Sequence, residues 1–186
     1  DFSILIALCT HEILSRFGLY RKGSRDAEPQ PEQSKACIAG EGASFFLLDK
    51  ENAPGTMAEL KAVSTIYKPG GVAEVENRVH QLLEESSVKP GEIDLVISGQ
   101  TGEAFHDAAE QRLPDTIFRN KPIFYFKALS GEYPTASGFA LWLAATLISR
   151  QQAPDWFIPV GLPLKNILIH NHYQNTHHSL FLISVC

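Results

Sequence analysis

Four of the seven histidines fall within nine residues: His170, His172, His177 and His178. His170 and His172 are two apart, so on a strand they share one face. With His177 and His178 from the adjoining turn they make a candidate metal cluster, because imidazole nitrogen is a standard zinc ligand. No nearby Cys or carboxylate completes a ligand set, so a hydrogen-bonded turn is the expected structure, with neither metal nor cofactor. Lys127 and Glu132 form a second constellation. Lys127 is predicted at the C-terminal end of a strand, where ligands gather in open α/β sheets, and a buried lysine needs a partner. The two residues are candidate catalytic groups or a structural ion pair.

Other candidates have plainer readings. Cys9 follows a predicted strand and precedes a predicted helix, a place that lowers a thiol pKa. Cys37 and Cys186 complete an odd count without CxxC spacing, which argues against a disulfide framework or a zinc site. A reducing cytoplasm is the expected compartment. Glu103, Asp107 and Glu110 recur on the first turns of a predicted helix, where negative charge is favourable, and read as a capped, solvated face. Gly40, Gly42, Gly131 and Gly138 match neither nucleotide-loop fingerprint and are expected to permit close backbone packing.

The elements that must position these residues are legible from periodicity. Residues 2–8 read as a buried strand and 11–20 as a short helix. Residues 21–36 read as a mobile loop. Strands are predicted at 43–48 and 59–67, paired as a hairpin across the Asn52-Ala-Pro-Gly55 turn. A helix over 72–86 carries Val72, Val75, Val79, Leu82 and Leu83 on one stripe. A strand at 93–97 is apolar except for Asp94. A helix over 102–113, a strand at 123–126 and a helix over 135–150 follow; the last is apolar on most faces and is expected to be deeply buried. The final strands are 167–169 and 179–185. From residue 58 onward strands alternate with helices, the pattern of a sheet covered on both sides.

Composition excludes several classes. The chain has 186 residues, 44% hydrophobic and 20% charged, a normal globular balance. Its net charge of −5 argues against a nucleic-acid partner. The most apolar run, 140–148, falls short of the roughly 20 residues a membrane span needs. Asp1 is followed at once by a buried-strand pattern and Met57 is the only methionine, so the chain reads as a piece of a longer protein.

Four segments, in order, resemble the C-terminal half of the β-ketoacyl-acyl-carrier-protein synthases, a thiolase-like family. Ala39-Gly-Glu-Gly-Ala43 is similar to the family's G-E-G-A strand. Lys89-Pro-Gly-Glu-Ile-Asp-Leu-Val96, with Gly99-Gln-Thr101 and Asp107, resembles the strand and turn carrying H-G-T-x-T. Lys127-Ala-Leu-Ser-Gly-Glu-Tyr-Pro-Thr-Ala-Ser-Gly138 fits K-S-x-x-G-H-x-x-G-A-A-G without a gap. Asn171-His-Tyr-Gln-Asn-Thr-His-His178 sits where the family has N-S-F-G-F-G-G.

The resemblance implies an α/β fold of α-β-α-β-α layers, of which residues 1–186 are the second half. The nucleophilic cysteine would precede Asp1, leaving Cys9 structural. The family's reaction is a decarboxylative condensation whose enolate is stabilised by two histidines. Their positions match Gly99 (Gln100 with a one-residue shift) and Glu132. The supporting lysine matches Lys127, the supporting glutamate Leu141 and the gating phenylalanine Asn175. Thr101 matches one of two threonines that hold the carrier's pantetheine arm; Glu103 replaces the other. The resemblance thus implies catalytic roles for Lys127 and Glu132, and substrate contacts from Thr101, Gly99, Asn171 and His177. Loss of both histidines resembles the chain-length-factor subunits, inactive partners of active synthases. The implied partners are an acyl carrier protein and a second synthase-type subunit, in a homodimer or heterodimer.

Overall fold

The computed structural model describes residues 39–102, 107–153 and 163–186. The predicted strand at 2–8, the helix at 11–20, the loop at 21–36, Cys9 and Cys37 lie outside the described residues. The elements run β1 (Glu59–Tyr67), α1 (Val72–Glu85), β2 (Leu95–Ser98), α2 (Ala108–Thr116), β3 (Ile123–Tyr125), α3 (Lys127–Ser130), α4 (Ala136–Arg150), β4 (Asn166–Tyr173) and β5 (His177–Ser184). They build one mixed sheet in the order β1-β5-β4-β2-β3. The β2 strand lies parallel to β3 and β4, whereas β5 is antiparallel to both β4 and β1.

Helices cover both faces, as the apolar strands require. Every residue of β2 is buried. Leu95, Ile97, Ile167, Ile169 and Ile183 face α4 through Ala140, Ala144 and Leu147. Val96, Leu168, Leu180 and Leu182 face the other way, onto Val79, Leu82 and Leu83 of α1 and Leu113 of α2. The period of two along each strand meets the period of 3.6 along each helix. Asp94, the polar residue of the β2 run, has a clear task at the head of the sheet. Its Oδ2 accepts the amides of Lys165 at 2.7 Å and Asn166 at 2.9 Å, fixing where β4 begins against β2.

Three expectations are corrected. Residues 43–48 form no strand, and no hairpin joins them to β1. Phe45, Leu47 and Leu48 are exposed, and β1 takes β5 as its partner. Strand propensity is present in this segment, but the segment forms no ladder with the outer edge of β1. Second, α4 is buried on one face only; Phe139, Leu141, Trp142 and Leu143 are half-buried. Third, the histidine-rich stretch is mainly strand, because β4 runs on to Tyr173 and β5 starts at His177.

The glycines of the 39–43 segment do permit close packing. A Cβ on Gly40 would lie 1.9 Å from the Ser130 carbonyl oxygen and 2.8 Å from Gly131 Cα. Gly40 N donates to Glu132 O at 3.0 Å. Gly131, at φ 72°, turns the chain there as only glycine does readily. A Cβ on Gly138 would meet Ser44, and one on Gly42 would meet the Tyr133 hydroxyl.

Gly40→Ala is expected to destabilise the protein by about 1–3 kcal/mol, because the added methyl meets backbone that cannot swing aside. Gly91→Ala, where an added Cβ has open space, is the matched control and should shift the urea midpoint little. Equal midpoints for the two variants would contradict this packing.

Candidate functional site

The chain passes from β3 directly into α3, so Lys127 opens a short helix instead of ending the strand. Its side chain is 2% exposed. The Lys127 ammonium donates to Glu132 Oε2 at 2.5 Å and to the His172 carbonyl at 2.6 Å. The structural ion pair is therefore present, with Glu132 returned toward the lysine by the turn at Gly131. Acceptors at this distance are what a buried ammonium requires.

Gly99 follows β2 and is buried. Its amide donates to the His170 carbonyl at 2.7 Å. A Cβ at this position would lie 2.5 Å from Asn171 Oδ1 and 2.9 Å from Asn171 Cα. Asn171 is 5% exposed, and among the described residues its Oδ1 has no hydrogen-bond partner. The two residues expected to meet substrate thus fill each other's space.

Asp107 corrects the expectation of a solvated helix face, because it is fully buried. Its Oδ1 accepts from Thr101 N at 2.8 Å and Thr101 Oγ1 at 3.0 Å, and its Oδ2 from Gly102 N at 2.7 Å. His172 Nε2 lies 3.0 Å from the same Oδ1. Burial pushes the Asp107 carboxyl upward, but hydrogen bonds from His172, Thr101 and Gly102 outweigh it and leave it below the ordinary carboxylate value. The carboxylate gathers the loop after β2 instead of facing water.

Strand alternation sorts the histidines. His170, His172 and His178 are buried, His172 and His178 being direct cross-strand partners. His177 falls on the opposite face, exposed, with its ring 4.7 Å from that of Tyr67. It is therefore turned away from the face that carries the other three. The hydrogen bonds determine the tautomers. The Asn175 amide donates to His172 Nδ1 at 3.2 Å, so the His172 proton sits on Nε2 and is donated to Asp107. His178 Nε2–H donates to Asn175 Oδ1 at 3.1 Å, and His178 Nδ1 accepts from His170 Nε2 at 3.1 Å. Burial, with the neighbouring charges of His178, His172 and Lys127, holds His170 far below its ordinary value. Burial and His172 bring His178 down to about 4.

These rings make a hydrogen-bonded chain that holds a turn. Among the described residues no three His, Cys, Asp or Glu side chains converge as a metal site. Sequence reasoning placed the turn but missed the Asp107–His172 contact. The available signal was that His170 and His172 alternate with Leu168 on one strand face, so burial there would demand a carboxylate or carbonyl.

No protein-family model and no curated protein matches the sequence. Solved structures do match in shape. The ishigamide ketosynthase/chain length factor superposes with a TM-score of 0.68 at 12% identity, over 97% of this chain and 52% of its own. A Xenorhabdus doucetiae ketosynthase, ApeO, in complex with its chain length factor ApeC gives 0.60 at 18% identity, over 74% and 40%. The AntDE:AntF complex, a type II acyl-carrier protein with its ketosynthase, gives 0.58 at 16%, over 70% and 39%. The chain spans about half, or less, of each of these proteins. The fold is the thiolase-like α/β fold of ketosynthases and chain length factors.

Lys127→Met is expected to destabilise the protein by about 3–5 kcal/mol, since it removes the cation paired with the Glu132 carboxylate. Adding Glu132→Gln should restore part of that loss. A double-mutant cycle by urea unfolding measures the coupling, and strictly additive losses would contradict the buried pair.

Proposed function

We propose that this chain is the C-terminal half of a β-ketoacyl-acyl-carrier-protein synthase-like protein of fatty-acid or polyketide-type chain extension, acting as a non-catalytic partner of the chain-length-factor kind. Decarboxylative condensation develops negative charge on an enolate oxygen, which needs donors placed before the reaction begins. The reading rests on what occupies the two donor positions. Position 99 has no side chain, and Asn171 takes the space one would need. Position 132 carries a carboxylate held to Lys127, and a carboxylate repels an enolate. His172 and His178 do not substitute, because each already engages both ring nitrogens.

The remaining resemblance concerns binding. Thr101, matched by the resemblance to a threonine that holds the pantetheine arm of an acyl carrier protein, gives its hydroxyl proton to Asp107 and is fixed by it at the end of β2. The other half of the fold would supply the rest of the acyl pocket, in a homodimer or paired with an active synthase subunit.

The full-length protein incubated with malonyl-carrier is expected to show neither carbon dioxide release nor acyl transfer alone. Co-expressed with an active synthase it should co-purify, and variants of its pocket should change product length. Carbon dioxide release by the full-length protein alone would overturn the reading. Gly99→His with Glu132→His is expected to remain inactive, because the Asn171 side chain meets any side chain at 99; measurable decarboxylation by that variant would show that the pocket accepts a histidine.

A further inference from the structure

The sheet ends at β1, and among the described residues no strand pairs with its outer edge. Edge strands are normally guarded by charge, proline or a bulge. In β1 those devices sit at one end only. Glu59 and Lys61 are exposed, and the register with β5 slips between Leu60 and Ala62. From Ala62 to Tyr67 the pairing with β5 is regular, and the stretch holds neither charge nor proline. Its Val, Thr, Ile and Tyr favour strands. Just beyond it, Lys68 N donates to Thr176 O, on the β5 side. Backbone groups alternate along a strand, so Val63, Thr65 and Tyr67 turn their N–H and C=O groups away from β5.

We propose that a second copy of this chain takes this edge: β1 pairs antiparallel with β1 of another protomer about a two-fold axis at Thr65, joining the two sheets into one.

Symmetry and the pleat limit the register. The faces of the two sheets must continue, so residues on one face oppose residues on the same face. Centring on Val63 or Ser64 would draw Lys61 and the bulge into the ladder. Centring on Thr65 keeps the contact inside the regular stretch. Thr65 then opposes its own copy, and Val63 of each protomer opposes Tyr67 of the other. These are the residues with outward backbone groups, so each opposed pair exchanges both N–H···O bonds. Val63 is 50% and Tyr67 62% exposed. A β-branched residue against an aromatic one is a favourable cross-strand pair.

The helix layer fits the same axis. The α1 helix packs on both β1 and β5, with Val75 against Ile66. Strands lie about 4.8 Å apart, so the pairing brings two α1 helices to about 10 Å, the spacing of packed helices. Glu76 bonds to Arg112 and Thr116 of α2, so the opposite flank of α1 is the one turned to the other protomer. By helical period that flank carries Glu74, Arg78 and Glu85. Because Val75 packs on Ile66, next to the axis, the antiparallel flanks set Glu74 of each copy beside Arg78 of the other. Opposite charges therefore meet, and the contact is two layers deep, as the area of a stable dimer requires.

Disulfide trapping on the full-length protein, with Cys9, Cys37 and Cys186 replaced by serine, tests the register. Opposed residues of an antiparallel pair lie about 5.5 Å apart at Cα, within disulfide reach. Thr65→Cys should give a covalent dimer on a non-reducing gel after mild oxidation. Val63→Cys alone and Tyr67→Cys alone should lack that band, since neither opposes its own copy, and the double variant should recover it. In the native background, Thr65→Lys sets two ammonium groups face to face and should weaken self-association in sedimentation about tenfold. An equimolar mixture with Thr65→Glu should restore it. No dimer band from Thr65→Cys, equal bands from all three single variants, or capture of a different protein in place of the dimer would overturn the proposal. These readouts concern geometry alone, so their failure leaves the reading of the pocket as it stands.

Discussion

A buried lysine at the start of α3 sets the terms for everything around it. An ammonium removed from water must be given acceptors close by, and Lys127 finds them in Glu132 and in the carbonyl of His172. The first ties α3 to the loop at Gly131, which also receives the backbone of Gly40. The second ties α3 to the end of β4. One charge thus joins the far side of the sheet, the loop before α4 and the segment before β1.

The same demand runs through the neighbouring polar groups. Asp107 is satisfied by the loop after β2 and by His172; His172 also receives Asn175; His178 links Asn175 to His170. Buried polar groups of this kind stabilise when every member is paired and destabilise when one is not. The residues that matched a reactive pocket are therefore engaged chiefly with each other. Asn171, whose Oδ1 has no partner among the described residues, borders the space at Gly99.

Much of the framework was legible from local pattern. The stripe from Val75 to Leu83 faces the core as its spacing demands. The apolar strands at 95–98 and 123–125 lie near their predicted places. Lys127 and Glu132 are close enough in sequence for their pairing to be anticipated. Residues 43–48 were not legible in this way. Phe45 to Leu48 are apolar enough for a strand, but the partner of β1 comes from β5, more than a hundred residues later in the chain.

What the sequence by itself determined was the alternation of helices and strands, the faces they bury and the presence of glycines that allow close backbone packing. Periodicity and side-chain volume act within a few residues, so they can be read along a line. Tertiary structure alone decided that Asp107 meets His172 across 65 residues, that Asn171 fills the space beside Gly99, and that His178 points inward while His177 points out. Those outcomes follow from parallel pairing of β2 with β4 and from the register of β4 against β5. Register is a property of two strands together, and a shift of one residue exchanges every inward side chain for an outward one.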